Sequence, residues 1–187
     1  VKVFYDTCDY EFYSNTRAPS KADMRKSLGL PKDMFLCGMV GAFHYRKGHD
    51  HLIKAIGLLN KRGFNSIGAA ICGNSAKTLK KWQVLAEEEG VANKIFFFVN
   101  FADQELLSLH RSVDVYCNLS NSARSCGLDL ALLEAMSSGL PVAVYDNGAL
   151  PRAVPKGENG ILVKTNDIES LSQAILNVYQ MSPEERR

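Results

Sequence analysis

The chain has 187 residues, of which 46% are apolar and 9% aromatic, and this is enough to bury a sizeable hydrophobic core. Twenty-two Lys and Arg balance 20 Asp and Glu, so the formal net charge is only +2, which excludes a dedicated nucleic-acid binder. No apolar stretch approaches the roughly 20 residues of a membrane span, so we expect a globular domain without a transmembrane segment.

Short apolar runs alternate with longer amphipathic runs, a pattern typical of βαβ units and a parallel sheet. The predicted strands cover 34–41, 67–72, 95–99, 113–117, 141–145 and 161–163. The predicted helices cover 48–61, 78–88, 103–110, 128–138 and about 166–180. Asn166 and Glu169 have the spacing of a capping box for the last of these helices. The sequence therefore predicts a single Rossmann-like α/β domain over residues 1–187, with three layers and a mainly parallel six-stranded sheet.

The five cysteines form no recognisable metal-binding or disulfide pattern. They stand at positions 8, 37, 72, 117 and 126 without a CxxC pair, and an odd number in a large domain argues against a disulfide framework. Cys37, Cys72 and Cys117 lie inside apolar runs, so we interpret them as small buried side chains. A reducing cytoplasm fits this cysteine usage best.

Loops that follow the strands are the candidate ligand-binding segments. In doubly wound sheets, ligands bind beyond the carboxyl ends of the strands. The loops in question are 41–48, 73–77, 100–103, 118–128 and 145–151. We expect the loops 41–48 and 118–128 to open at the same edge of the sheet.

The loop 41–48 reads GAFHYRKG and joins the first core strand to its helix. Gly41 lets the backbone approach a ligand closely, and Lys47 adds positive charge beside a helix N-terminus. The loop is neither a P-loop, since Gly-Lys-Ser/Thr is missing, nor the dinucleotide motif GxGxxG. It is interpreted as an anion site, such as one for a diphosphate, or as a plain turn with exposed charges.

Glu134 stands in the otherwise apolar helix predicted over 128–138. At helical spacing it shares a stripe of small or polar residues with Gly127, Ala131 and Ser138. This stripe suits a close-fitting polar ligand. In the alternative interpretation, Glu134 faces solvent or pairs with an Arg.

Six blocks of the sequence carry a resemblance to a known family. They are 41–48, 73–74, Ser120 with 127–136, 139–143, 148–151 and 157–163. In order and spacing they resemble the C-terminal domain of the family-4 retaining glycosyltransferases, which are GT-B enzymes with two Rossmann-like domains. The resemblance implies that this half binds a nucleotide-sugar donor. An N-terminal half, absent from this chain, would supply most contacts to a glycan or lipid-linked acceptor.

The resemblance also assigns roles to single residues. Lys47 matches the lysine that contacts the donor diphosphate, and Glu134 matches the second glutamate of the E-x7-E motif, which holds the ribose; these two are the expected catalytic residues. The donor-binding set that the resemblance implies is Gly41, Arg46, Lys47, Gly73, Ser120, Cys126, Gly127, Leu128 and Glu134. The implied chemistry is hexosyl transfer with retention, by placement and electrostatics, with no metal and no cofactor beyond the donor itself.

Several positions depart from the family pattern. Ala42 stands where an arginine is usual, Cys126 where the first glutamate of E-x7-E belongs, Asp129 where glycine is preferred, and Arg152 where an acid is common. A thiol does not accept hydrogen bonds from sugar hydroxyls as a carboxylate does. Arg124 could replace the missing arginine, or Asp129 the missing glutamate. Ala42 and Cys126 are the evidence for a second hypothesis, an alternative to the transferase, in which the chain is a degenerate GT-B half that serves as a non-catalytic binding or scaffolding module. A third is an unrelated Rossmann-like regulatory domain.

The two ends of the sequence indicate one domain of a longer protein. The chain begins without Met, and Ser182 and Pro183 have the pattern of a helix start. We expect the full protein to act in polysaccharide biosynthesis in the cytoplasm, or peripherally at a membrane. The 187-residue chain alone is expected not to transfer sugar, because the acceptor half is absent.

Overall fold

The computed structural model describes residues 7–14, 19–74, 78–122, 129–154, 160–182 and 184–186. Within them, the strands are β1 (Phe35–Val40), β2 (Ile67–Gly73), β3 (Ile95–Val99), β4 (Val115–Asn118), β5 (Val142–Tyr145) and β6 (Gly160–Val163). The helices are α1 (Tyr10–Tyr13), α2 (Lys21–Ser27), α3 (His49–Lys61), α4 (Leu79–Glu88), α5 (Asp103–Ser112), α6 (Leu130–Ser137), α7 (Leu150–Ala153) and α8 (Ile168–Gln180).

All six strands form one sheet in the order β3-β2-β1-β4-β5-β6, and every neighbouring pair is parallel. The predicted α/β class and Rossmann-like sheet are confirmed, with the sheet entirely parallel within the described residues. The chain order reverses direction between β1 and β4. This switch point is where open parallel sheets hold their ligands.

The side chains of the strands alternate between two cores. Cys37, Ile71 and Cys117 belong to the face that α3, α4 and α8 cover, whereas Leu36, Cys72 and Tyr116 face α2, α5 and α6. Burial on both faces explains why the strands read as continuous apolar runs. The three cysteines predicted to be buried are at most 3% exposed.

Two predicted boundaries are wrong for identifiable reasons. The capping residue of α8 is Asp167, whose side chain accepts from the Ser170 N–H, while Asn166 has a φ of 64° and lies outside the helix. Strand β4 starts at Val115 and not at the predicted position 113. The reason is that Val113 is the C-cap residue of α5 and that the Asp114 side chain accepts the Leu36 N–H at 2.8 Å. The short helices α1, α2 and α7 carry too little periodicity to be predicted.

A buried arginine holds α2 against the amino end of β4. Arg25 is 5% exposed, and its guanidinium donates to Asp114 at 2.8 Å. It also donates to the carbonyls of Pro31, Lys32, Met34 and Ser112. This network fixes the amino edge of the sheet, on the side opposite the candidate ligand-binding loops.

The longest helices of the described residues are α3 and α8, each with 13 residues. Neither they nor any other described helix has the length and apolar composition that crossing a membrane requires.

Candidate functional site

The loops after β1 and β4 touch each other at the switch point. The backbone N–H of Asn121 donates to the carbonyl of Arg46 at 2.9 Å, and its side-chain amide donates to the carbonyl of Tyr45 at 3.2 Å. Gly48 packs so closely that a Cβ there would lie 2.5 Å from the Leu119 carbonyl oxygen. The described parts of the loops 41–48 and 118–128 therefore open at the same edge, as predicted.

Lys47 lies at the centre of this junction and is engaged by a carboxylate. Its Nζ donates to Oδ2 of Asp129 at 2.7 Å, and the two side chains are 29% and 21% exposed. Asp129 is the N-cap residue of α6, yet its side chain accepts no N–H from the first turn of the helix. Lys47, which is predicted to bind an anionic ligand, therefore already contacts an anionic group of the chain itself, the Asp129 carboxylate.

Gly41, Arg46 and Gly73 have different surroundings in the structure. The methylene groups of Lys47 run over Gly41, with the nearest carbon 3.5 Å from where a Cβ would stand. The exposed guanidinium of Arg46 lies 5.6 Å from the ring centroid of Tyr45. Gly73 provides room for Phe43, because a Cβ there would lie 2.6 Å from the Phe43 ring. Donor contacts of these three residues stay predictions.

Glu134 lies on α6, five residues after Asp129 and thus roughly 7.5 Å further along the helix axis. Its side chain is 16% exposed, and Oε2 lies 3.5 Å from Nε2 of the buried His110. Burial, and then the charge of Glu134, raise the pKa of Tyr13. Lys47 thus contacts the N-cap residue of α6, and Glu134 lies on the same helix. Glu134 also faces the aromatic rings of His110 and Tyr13.

Ser120 is held in a buried turn after β4. Its N–H donates to the side-chain oxygen of Asn118 at 3.3 Å, and its carbonyl accepts from the side-chain amide of Asn147 at 2.8 Å. The loop after β5 is thereby joined to the loop after β4. The remaining predicted residues, Cys126, Gly127 and Leu128, and also Arg124, lie outside the described residues.

A buried histidine supports the loop 41–48 from below. His49 is the first residue of α3 and packs between the rings of Phe43 and Trp82, at centroid distances of 5.3 and 5.5 Å. Burial lowers the pKa of His49 to about 4, although the carbonyls of His44 and Gly41 favour the charged ring. The ring is therefore neutral near pH 7, and the positive charge above α3 comes from Lys47, Arg46 and the helix N-terminus.

The arrangement at the N-terminus of α3 suits an anionic ligand. The first backbone N–H groups of α3 have no hydrogen-bond partners within the helix, and Lys47 lies beside them. Among the described residues, no group of three His, Cys, Asp or Glu side chains is placed to hold a metal ion. The geometry indicates a site for a phosphate-like group, with Glu134 able to accept hydrogen bonds from hydroxyl groups nearby.

Sequence reasoning missed the partners of the two central residues. The sequence presents Asp129 as a departure from the family pattern and as a possible substitute for the missing glutamate, but not as a partner of Lys47, although an acid just before an apolar helix does signal an N-cap. No local pattern in the sequence points to His110 or Tyr13, because both meet Glu134 only through the packing of α5 and α1 on α6.

Solved structures share this fold. HepE (Alr3699) of Anabaena, in complex with UDP and glucose, matches with a TM-score of 0.85 and 21% identity, over 99% of this chain and 48% of that chain. The C-terminal domain of the group 1 family protein LpcC from Francisella tularensis matches with a TM-score of 0.78 and 21% identity, over 94% and 89%. The fold is that of a Rossmann-like domain of the GT-B class.

Residues 20–187 match the family described as glycosyl transferases group 1, and the chain belongs to this family, as a C-terminal domain. It is 32% identical over 181 residues to the D-inositol 3-phosphate glycosyltransferase of Corynebacterium glutamicum strain R, covering 94% of this chain and 42% of the relative. It is 29% identical over 162 residues to a GDP-mannose-dependent phosphatidylinositol monomannoside mannosyltransferase of Mycolicibacterium smegmatis, covering 83% and 41%. The chain spans about two fifths of the length of the curated relatives it matches.

Proposed function

We propose that this domain is the donor-binding half of a glycosyltransferase that moves a sugar from a nucleoside-diphosphate sugar to a glycan or lipid-linked acceptor, with retention. The observation that carries the proposal is the position of Lys47. It lies at the switch point of the sheet, beside the N-terminus of α3 and in contact with the N-cap of α6. Group 1 membership, and relatives named as glycosyltransferases, support the same conclusion.

In the proposed complex, the two ends of a nucleoside diphosphate bind different residues. Lys47 and the α3 N-terminus carry the positive charge that a departing diphosphate needs. Glu134 accepts hydrogen bonds from the ribose hydroxyls, and its exposed edge leaves the carboxylate reachable. Gly41, Arg46, Gly73 and Ser120 form the remaining described part of the donor site. The protein's contribution to rate is then placement and electrostatic stabilisation rather than covalent chemistry.

The acceptor, the cofactor requirement and the location follow as parts of the same proposal. The acceptor binds mainly to another domain of the full protein, so this chain alone transfers no sugar. The nucleotide sugar is the co-substrate, and no metal ion takes part. The full protein works in the cytoplasm or at a membrane surface.

Calorimetric titration of the chain with uridine, guanosine and adenosine diphosphates, and with the bare nucleosides, tests the proposal. Lys47→Ala should weaken only the diphosphate, whereas Glu134→Gln should weaken both ligands, each by about tenfold or more. The loss from Lys47→Ala should shrink as salt is raised, because the lysine contributes by charge. Lys61→Ala removes an ion-paired lysine remote from the loops and is the matched control for charge. Unchanged affinities in both variants would remove Lys47 and Glu134 from the site.

The second candidate function, a non-catalytic binding or scaffolding module, is favoured by one observation. The lysine expected to hold the diphosphate is bound by Asp129, and the neighbouring position 42 supplies no second cation. A scaffold of this kind should bind none of the diphosphates at millimolar concentration. Absence of binding in the wild-type chain would therefore replace the transferase proposal with this one.

A further inference from the structure

The ion pair between Lys47 and Asp129 joins the two loops that flank the switch point. The residues are 82 positions apart in sequence, and the 2.7 Å contact brings a carboxylate oxygen to the atom that would contact a phosphate. The only hydrogen bond that the described structure gives Lys47 Nζ is this one. Both side chains are partly exposed, so the contact is within reach of a ligand from solvent.

We propose that Asp129 sets the affinity of this site for phosphate, by occupying on Lys47 the position that a phosphate oxygen of the donor would take. The inference rests on the proposed donor-binding function and deepens it. A carboxylate and a phosphate are both anionic acceptors, and both bind an ammonium through charge-assisted hydrogen bonds. A donor that binds here either displaces Asp129 from Lys47 or shares the lysine with it, and in both cases two like charges are brought close together.

The competition for Lys47 matters because the described residues place little other positive charge beside it. Ala42 has no charge, and the Arg46 Nε donates to the hydroxyl of Tyr45 at 3.3 Å, on the exposed side of the loop. The pair of Lys47 and Asp129 is neutral as a unit, so the backbone N–H groups of α3 are left as the main attraction for a phosphate. Removing the carboxylate would restore a full positive charge at the site.

Asp129→Asn is the variant that tests this role. Asparagine is as good an N-cap residue as aspartate, so α6 should keep its start and the chain its fold. Glu89→Gln is the matched control, because Glu89 forms a comparable pair with Lys61 at 2.9 Å and 22% exposure, on the opposite end of α3. Both changes remove one negative charge, so any effect of net charge alone appears equally in the two variants.

Titration with uridine, guanosine and adenosine diphosphates and with inorganic pyrophosphate measures the effect. Asp129→Asn should bind the nucleoside diphosphate about tenfold more tightly than the wild type, with unchanged affinity for the bare nucleoside. Glu89→Gln should bind like the wild type. If the wild type binds and Asp129→Asn binds equally or more weakly, the role of Asp129 is wrong while the donor site stands.

Labelling of Lys47 provides a readout that needs no ligand. An amine-reactive reagent, with modification mapped by mass spectrometry, should react faster at Lys47 in Asp129→Asn than in the wild type, with Lys61 as internal reference. Equal rates would show that the ion pair does not form in solution, which overturns the inference. If labelling rises as expected but neither protein binds any phosphate, the donor site itself is refuted, and the affinity role of Asp129 with it.

Discussion

An aspartate stands near each end of β4, and the two are held very differently. Asp114, at the amino end, accepts from Lys21 at 2.6 Å, from Arg25 at 2.8 Å and from the Leu36 N–H at 2.8 Å. Asp129, in the loop region beyond the carboxyl end, accepts from Lys47 at 2.7 Å. The first carboxylate is 13% exposed and the second 21%.

The difference separates a structural charge from one that a ligand can replace. Asp114 and Arg25 satisfy each other and several backbone groups, so removing either leaves buried polar atoms without partners. Asp129 and Lys47 share one contact at an open edge in the described structure, and a solvent anion can take the place of the Asp129 carboxylate on Lys47. Charge at the amino edge therefore maintains the fold, and charge at the carboxyl edge remains available for binding.

Arg25→Ala should give the largest effect and tests the amino edge. The change removes a cation that pairs with the Asp114 carboxylate, and it removes the Arg25 donor from four backbone carbonyls. We therefore expect a loss of about 3 to 5 kcal/mol in the free energy of unfolding. Urea unfolding measures it. Lys26→Ala, at an exposed neighbouring position, should change stability by less than about 0.5 kcal/mol. Equal effects would mean that the Arg25 network does not maintain the fold.

Gly48→Ala tests how tightly the carboxyl edge is built. Gly48 has a φ of 78° and its Cβ would lie 2.5 Å from the Leu119 carbonyl, so we expect a cost of about 2 to 5 kcal/mol from strain and overpacking. Gly63→Ala is the control: φ is 92° and nothing lies within 4 Å, so only the backbone strain of about 1 to 2 kcal/mol applies. Urea unfolding of both variants isolates the close contact between the loops, and equal losses would show that the loops can separate freely.

The third prediction concerns pH and the buried His49 beneath the loop. Its pKa is lowered to about 4 in the fold from 6.5, so the unfolded chain binds more protons between these values. Stability is then full above pH 6.5 and falls as the pH drops toward 4, by about 2 kcal/mol between pH 7 and pH 5. His49→Leu should flatten most of this slope, leaving the part from His51, whose pKa burial also lowers. An unchanged slope in urea unfolding at the two pH values would contradict a buried neutral ring.

The sheet could be predicted because its signal is local. Each buried strand is an apolar run bounded by turn residues, and the runs at 67–72 and 95–99 fall within one residue of β2 and β3. The sequence predicts a start of α8 that is one residue early, since Asn166 and Asp167 are both good caps and only the backbone decides between them.

The candidate site was only partly predictable, because its partners are distant in sequence. Lys47 and Glu134 could be singled out by a resemblance and by their unusual surroundings. That Lys47 would meet Asp129, and Glu134 would meet His110, depends on how α3, α5 and α6 sit on the sheet. No rule of sequence spacing predicts such contacts. The contact through which Asp129 would compete with a phosphate for Lys47 is therefore visible only in the three-dimensional structure.

The pairing of β1 with β4 has a consequence for how the domain folds. It joins Cys37 to Val115 and so closes a long stretch of chain, and contacts of this kind are expected to form late. Both loops of the candidate site follow these two strands, so the site is assembled only when this pairing is in place. A ligand that bridges the loops therefore binds the native state alone, and it should raise the temperature of global unfolding in proportion to the logarithm of its concentration.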